Sequence, residues 1–229
     1  MLILAVESSA KPVSVAVYNT NDGRLLGQYF QNNGFSHSRT LLALAESLLK
    51  NLDMKPSDLG LIAVASGPGS FTGVRIGVSA AKGLAWGLDI PVCGVSTLEA
   101  MACQTPEPDV IICPVMDARR QQVYNAIFQW CDGVLIRSCD DRAISLDDLS
   151  ADLLTYNKPY LLVGDGVGVC LQHQGFADCH AAPELMRYQT AYGVALAAAG
   201  AKSVPAVELE PFYLRPSQAE REYNNKKYT

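Results

Sequence analysis

The chain has 229 residues, of which 49% are hydrophobic and 18% charged, and its formal net charge is −5 at pH 7. This apolar content is enough for one large domain or two small lobes, and it excludes a disordered chain. The negative charge excludes a global basic field that would capture nucleic acid. Any contact with RNA must therefore be local or supplied by a partner.

The apolar segments are too short, or too often interrupted by charged residues, to form a signal peptide or a membrane span. The first of them covers residues 2–6 and is followed at once by Glu7. Seven cysteines occur at irregular spacings without a C-x-x-C pair, which is typical neither of a disulfide framework nor of a zinc site. We expect a cytoplasmic protein with reduced thiols and no membrane contact.

The first elements in chain order are three strands, and the same three strands return later in the sequence. An apolar strand, a polar turn, a second strand, an Asp-Gly turn and a third strand begin at Leu2 and again at Ile112. An offset of 110 residues relates the two sets. It pairs Glu7 with Asp117, Val13 with Val123, Ala16 with Ala126, Asp22–Gly23 with Asp132–Gly133, and Leu26 with Ile136.

Each triplet is followed by a helix and by a further apolar strand that leads into glycines. These elements are predicted at residues 36–52 and 61–65 in the first half, and at 145–154 and 160–163 in the second. The order β-β-β-α-β-α, used twice, predicts a pseudo-symmetric α/β protein with two lobes facing one cleft. The Pro-rich segment 104–108 divides it into lobes of residues 1–105 and 106–229, and we expect the polar residues 220–229 to be frayed.

The repeat places two carboxylates, Glu7 and Asp117, at equivalent positions after the first strand of each half. Carboxylate oxygens suit magnesium shared with nucleotide phosphates, although either side chain could instead accept backbone N–H groups of its turn. A nucleotide site in the cleft would also use the glycines that end the later strands, namely Gly67, Gly69, Gly164 and Gly166.

Residues 66–77 read SGPGSFTGVRIG, which matches neither the Walker pattern nor G-x-G-x-x-G. Glycines before a helix can leave N–H groups free to bind an anion. The alternative is a tight strand-to-helix turn with Thr72 as the N-cap.

The two helices of the first half are more apolar than a single buried face requires. Small residues recur every four positions in the second helix, and several leucines widen the apolar face of the first. We predict a partner-binding surface here, or coverage by the second lobe, and a homodimer when the partner is missing. The predicted interface residues are Leu41, Leu42, Ala45, Leu48, Leu49, Gly73, Gly77, Ala81 and Ala85.

Taken together, these motifs resemble the TsaB family over nearly the whole chain. The segments that carry the resemblance are GPGSFTGVRIG (67–77), AKGLA (81–85), VSTLEA (95–100), MDARR (116–120), GDG (164–166) and FYLR (212–215). The resemblance implies a duplicated actin/Hsp70/sugar-kinase (ASKHA) fold. It also implies a non-catalytic subunit that binds TsaD, its catalytic paralogue, and that works with the ATPase TsaE. The complex transfers a threonylcarbamoyl group to the anticodon-adjacent adenosine of tRNA (t6A modification), and this subunit would reach tRNA only through the complex.

The resemblance also implies where catalytic ligands are missing. TsaD binds its metal through two histidines of a His-x-x-x-His helix, and Thr97 and Met101 occupy those places here. Neither side chain can replace an imidazole, and the three histidines, His37, His173 and His180, do not restore the pair.

We therefore predict no catalytic residue, no metal site and no cofactor of its own, although ATP or ADP with magnesium could bind at an interface of the complex. Two alternatives stay open: an ATP- and magnesium-dependent phosphotransferase or ATPase of the same fold, and a metallopeptidase-like protein.

Overall fold

The computed structural model describes residues 1–34, 36–176 and 179–215, with the side chain of Leu185 left out. The segment predicted to be frayed, residues 220–229, lies outside these residues.

The first lobe is built on a five-stranded mixed sheet of order β3-β2-β1-β4-β5. Its strands are β1 (Leu2–Glu7), β2 (Val13–Asn19), β3 (Arg24–Gln31), β4 (Leu61–Gly67) and β5 (Val92–Ser96). The central strand β1 runs antiparallel to β2 and parallel to β4. Because both faces of β1 are covered, its sequence is continuously apolar rather than alternating.

The second sheet repeats this arrangement in the order β10-β9-β6-β7-β8. Its strands are β6 (Ile111–Asp117), β7 (Gln122–Cys131), β8 (Val134–Ser145), β9 (Tyr160–Val163) and β10 (His180–Ala181). The central strand β6 is antiparallel to β7 and parallel to β9. The predicted duplication is confirmed, since Glu7 ends the central strand of one sheet and Asp117 that of the other.

The described chain forms α-helices of very different lengths. They are α1 (His37–Asn51), α2 (Phe71–Leu88), α3 (Thr97–Cys103), α4 (Leu146–Thr155), α5 (Val167–Leu171), α6 (Glu184–Arg187) and α7 (Ala191–Ala199). The helices predicted at 36–52 and 145–154 are confirmed to within one residue at each end. Within the described ranges, no helix is both long and apolar enough to cross a membrane.

The helix α2 starts earlier than the sequence suggested. Its N-cap is Ser70, whose Oγ accepts a hydrogen bond from the Gly73 N–H at 3.3 Å. The prediction of Thr72 as the cap is therefore wrong. Serine and threonine both favour this position, so the sequence alone does not decide between Ser70 and Thr72.

The two faces of the first sheet are covered by distant parts of the chain. Helices α1 and α2 pack on one face, where Leu41, Val74 and Val78 join the core. On the other face lies α7, whose alanines allow a close approach to the sheet. The C-terminal segment thus completes the core of the first lobe, and the lobe boundary at residue 105 stays a prediction.

Helix α3 links the two lobes. Its residue Ala100 packs with α7 and the first sheet, whereas Leu98 and Met101 pack with Phe128 and other residues of the second sheet. Thr97 and Met101, which occupy the two histidine places of TsaD in the resemblance, therefore lie on a helix that is buried between the sheets.

Candidate functional site

A cleft of about 820 Å³ separates the lobes. Its walls are the turn after β1, the start of α2, the turn after β6 and the C-terminal segment of the described chain, residues 212–215. This cleft lies where the duplicated strands end, as the repeat predicted. The contribution of residues 212–215 could not be predicted from the sequence, because the FYLR motif carries no signal of its position in space.

The carboxyl group of Glu7 lies beneath the cleft rather than in it. The residue is 1% exposed and is not part of the cleft lining. Its Oε1 accepts a hydrogen bond from the Ser9 N–H at 2.5 Å, while Oε2 is buried and has no hydrogen-bond partner within the described residues. Burial, together with a smaller contribution from the nearby Asp165, raises the pKa of Glu7 to about 7.

The second carboxylate, Asp117, lines the cleft and is exposed. Its Oδ1 accepts the Arg119 N–H at 2.7 Å, which is the turn-forming role that the sequence left open. Asp165 joins it in the cleft lining and accepts a hydrogen bond from Gln189 Nε2 at 2.9 Å. Burial raises the pKa of Asp165 above its ordinary value. In the ranges that the structure covers, no three or more His, Cys, Asp or Glu residues form a group suited to a metal ion.

The glycines predicted for a nucleotide site serve close packing of the backbone. A Cβ on Gly67 would lie 2.1 Å from the Phe212 carbonyl oxygen, and one on Gly69 would lie 2.3 Å from that of Ser9. Gly164 and Gly166 approach the backbone of Val115 in the same way, and of the four glycines only Gly69 lines the cleft.

These contacts argue against the nucleotide–magnesium arrangement that the ASKHA fold implies. Phosphate binding needs backbone N–H groups that open onto the ligand, whereas the N–H groups of Gly164 and Gly166 donate to the carbonyl oxygens of Arg187 and Val115. Glu7, the first predicted magnesium ligand, is buried below the cleft floor. Of the residues singled out from the sequence, Glu7, Gly164 and Gly166 therefore do not fit a nucleotide with magnesium, whereas Asp117 and Gly69 line the cleft.

The stripe of small residues on α2 faces the chain's own first lobe. A Cβ on Gly73 would lie 2.1 Å from the Ser8 carbonyl oxygen, and one on Gly77 would lie 2.5 Å from Ser8 Oγ. Ala81 and Ala85 are buried in the same core. The prediction that the stripe contacts a partner is therefore wrong. A four-residue period of small residues shows that another element lies close to the helix, but it does not show which element.

The leucines of α1 need the same correction. Leu41, Ala45, Leu48 and Leu49 are buried against the first sheet. Of the predicted interface residues, only Leu42 is exposed, with 51% of its surface accessible.

An apolar groove nevertheless runs between α1 and α2 on the outer side. It has a volume of about 560 Å³, and its lining includes Leu42, Phe71, Ile76 and Ala80. At the far end of α2, the side chain of Trp86 is 81% exposed. The sequence carried a signal for Trp86, since a tryptophan outside the small-residue stripe must point away from the face that the stripe buries.

Thr97 and Met101, which occupy the two histidine places of TsaD in the resemblance, are core residues here. They are 0% and 1% exposed, and Met101 packs among Leu98, Ile112 and Phe128. The Ser96 Oγ caps α3 by accepting the Glu99 N–H at 3.2 Å. This helix is therefore anchored at its start and filled with apolar side chains at the positions in question.

The histidines and cysteines lie apart from the cleft chemistry, with one exception. His37 lines the cleft, and its Nε2 lies 3.1 Å from the Lys11 carbonyl oxygen. His173 lies 3.2 Å from Asp147 in the second lobe, and His180 is exposed. All seven cysteines are free thiols.

Comparison with known proteins places these features in a family. Residues 33–166 match the family model described as TsaD: tRNA N6-adenosine threonylcarbamoyltransferase. The tRNA threonylcarbamoyladenosine biosynthesis protein TsaB of Bacillus subtilis is 40% identical over 164 residues, which cover 72% of this chain and 71% of that protein. The chain belongs to the TsaB family. The TsaB protein of Escherichia coli is 36% identical over 131 residues, and this match spans only 55% of its length.

Solved structures share the fold. An uncharacterized Pseudomonas aeruginosa protein with similarity to the peptidase YeaZ has a TM-score of 0.77 at 24% identity, covering 93% of this chain and 99% of that one. The ethanolamine utilization protein EutJ of Carboxydothermus hydrogenoformans has a TM-score of 0.51 at 11% identity, covering 86% of this chain and 90% of that one. The predicted duplicated ASKHA-type fold is confirmed by these neighbours together with the two sheets.

Proposed function

We propose that this TsaB-family chain is a non-catalytic subunit that binds and stabilises TsaD in the complex that transfers a threonylcarbamoyl group to the anticodon-adjacent adenosine of tRNA. The pathway is supported by relatives that are named tRNA threonylcarbamoyladenosine biosynthesis proteins, and by the match to the TsaD model. TsaE, the ATPase of the complex, is the further partner that this proposal includes.

The observation that carries the non-catalytic role is the identity and burial of two residues in α3. In TsaD the corresponding helix holds two histidines, whereas Thr97 and Met101 here are buried among apolar side chains of both lobes. A thioether and a hydroxyl enclosed in this way are suited to packing, and neither supplies the imidazole that the transferase uses.

The partner surface that the structure supports best is the outer face of α1 and α2. Leu42 and Trp86 are large apolar side chains that stay exposed there, and the groove between the helices can accept ridges from another helix. Tryptophan is among the residues that contribute most to interfaces when a partner covers them. Because residues 33–166 match the TsaD family model, we propose that an equivalent pair of helices in TsaD packs on this face.

The surface is tested by mixing purified TsaD with variants of this chain. Trp86→Glu is expected to weaken pairing at least 30-fold in a calorimetric or pull-down titration, because a charge would be buried in the interface. Leu154→Glu is the matched control, since Leu154 is 78% exposed on α4 of the second lobe and should leave pairing unchanged. Equal affinities for the wild type and Trp86→Glu would contradict the surface.

The non-catalytic role is tested separately by transfer assays on tRNA. The chain alone should transfer no threonylcarbamoyl group, while its addition to TsaD and TsaE should restore transfer. Transfer by the isolated chain would overturn the role.

The same Trp86→Glu variant should also reduce self-association in light scattering, since a homodimer without TsaD would use the same exposed face.

A further inference from the structure

Three cationic side chains at the mouth of the cleft have no partner among the described residues. Lys11 and Arg119 line it, and Arg120 is the exposed neighbour of Arg119. No hydrogen bond or ion pair ties their charged groups to any other described residue. Most other cations near the cleft are engaged: Arg75 stacks on Phe71, and Arg215 contacts the Ala118 carbonyl oxygen.

The turn that carries the two arginines has an uncommon backbone. Arg119, Arg120 and Gln121 have φ angles of 62°, 56° and 56°, which place three successive non-glycine residues in the left-handed region. The turn is held by the bond from the Arg119 N–H to Asp117 Oδ1 and by the bond from Ala118 N–H to the Gln122 carbonyl oxygen at 3.0 Å. Two adjacent guanidinium groups are thus presented on a turn that the protein holds in place.

Aromatic side chains line the same cleft. Phe212 is 46% exposed and forms part of its C-terminal wall, and Tyr124 lies in the opposite lobe. Proteins bind single-stranded nucleic acid through cations that contact the phosphates and through nearby aromatic rings that stack on the bases. The two carboxyl groups of the cleft, Asp117 and Asp165, already accept hydrogen bonds from the protein.

We infer that the mouth of this cleft binds a single-stranded segment of RNA, with Lys11, Arg119 and Arg120 on phosphates and Phe212 on a base. Arg120 is exposed and lies outside the cleft lining, so the positive charge extends beyond the cavity. An extended polyanion fits this distribution of charge better than a compact anion held inside. The choice of RNA, and of the anticodon loop as the segment, rests on the proposed function. This site would give the chain a direct RNA contact, in addition to contacts made through the complex.

The cations are tested through the salt dependence of RNA binding. Affinity of the full chain for a synthetic RNA hairpin with a single-stranded loop is measured by fluorescence anisotropy from about 50 to about 200 mM salt. The variant Lys11→Gln/Arg119→Gln/Arg120→Gln removes three phosphate contacts, so the slope of log affinity against log salt should become about 2 units shallower. Over this salt range the wild type should lose about 20-fold more affinity than the variant.

The matched control removes the same charge from elsewhere on the surface. Arg24→Gln/Lys158→Gln/Lys202→Gln changes three exposed cations away from the cleft lining and should leave affinity and slope close to those of the wild type. Phe212→Ala should weaken binding about fivefold or more at every salt concentration without changing the slope, because stacking is not electrostatic.

Three results would overturn the inference. The first is an unchanged slope in the cleft variant. The second is a change of affinity and slope in the control variant that equals the change in the cleft variant. The third is displacement of the RNA by ATP or by pyrophosphate at stoichiometric concentration, which would identify the site as one for a compact anion. If pairing with TsaD fails but the RNA results hold, only the proposed function falls; if pairing holds and the slope is unchanged, only this inference falls.

Discussion

Glu7 is a buried acid whose charged form has little support. Desolvation raises the pKa of its carboxyl group from 4.5 to about 7, because it outweighs the hydrogen bonds from Ser9 and Ser8 that lower this pKa. The folded chain therefore holds a proton that the unfolded chain releases between these two values. Below pH 4.5 the carboxyl group is neutral in both the folded and the unfolded chain, so it does not oppose folding. The free energy of unfolding then falls as the pH rises toward 7.

The prediction is that Glu7→Gln removes this loss. Between pH 4.5 and 7 the wild type should lose up to about 3 kcal/mol of unfolding free energy relative to the variant, because each unit of pKa shift corresponds to about 1.4 kcal/mol. Urea denaturation of both proteins at several pH values measures the difference. Because Asp165 contributes to the raised pKa of Glu7, the two titrations are coupled, and repeating the comparison in an Asp165→Asn background isolates the contribution of Glu7. Curves that stay parallel across this range would show that Glu7 does not carry the effect.

Sequence reasoning placed Glu7 and Asp117 correctly but could not assign their environments. The repeat gives equivalent positions at the ends of two central strands. Burial of Glu7 depends on the start of α2, where the Ser70 N–H donates to the Ser9 carbonyl oxygen at 2.6 Å. The sequence has no pattern that distinguishes this turn from the corresponding turn after β6, where Asp117 is exposed.

Helix α2 contains glycines of two kinds. Gly73 and Gly77 lie where a Cβ would overlap Ser8, whereas Gly83 and Gly87 face open space. The sequence predicted the stripe that contains the first pair and assigned it to a partner. Spacing alone cannot distinguish a sheet within the chain from a helix of another chain, because both require small side chains at the contact.

This difference predicts opposite effects of the same substitution within one helix. Gly73→Ala should destabilise the isolated chain by about 2 to 4 kcal/mol, because the new methyl group meets a backbone carbonyl that cannot move freely. Gly83→Ala should instead stabilise it by up to about 1 kcal/mol through higher helix propensity. Thermal or denaturant unfolding of the chain without TsaD measures both. Similar changes for the two variants would contradict the packing of α2 on the Ser8 turn.

The sequence predicted two lobes with the same order of elements along the chain, because a repeated pattern of hydrophobic residues does not depend on how the lobes meet. It did not predict that α7 covers the first sheet. The run of alanines in α7 has almost no polar face, so its periodicity does not indicate which surface it covers.

The position of α7 predicts that residues 1–105 do not fold alone. Without α7, one apolar face of the first sheet, which includes Ile3 and Leu61, would be exposed to water. The fragment should show no cooperative unfolding transition by circular dichroism. A fusion that rejoins residues 186–209 to it through a flexible linker should recover one. A cooperative transition in the fragment alone would show that the first lobe is an independent domain.

The same feature sets the order of events during synthesis on the ribosome. The first sheet is complete once β5 has been made, but its covering helix α7 follows roughly a hundred residues later, which corresponds to roughly 5 to 20 s of translation. For that interval the nascent chain carries an uncovered apolar sheet. The sheet made first must wait for the helix made last, so the N-terminal lobe cannot finish folding before the C-terminal lobe has been synthesised.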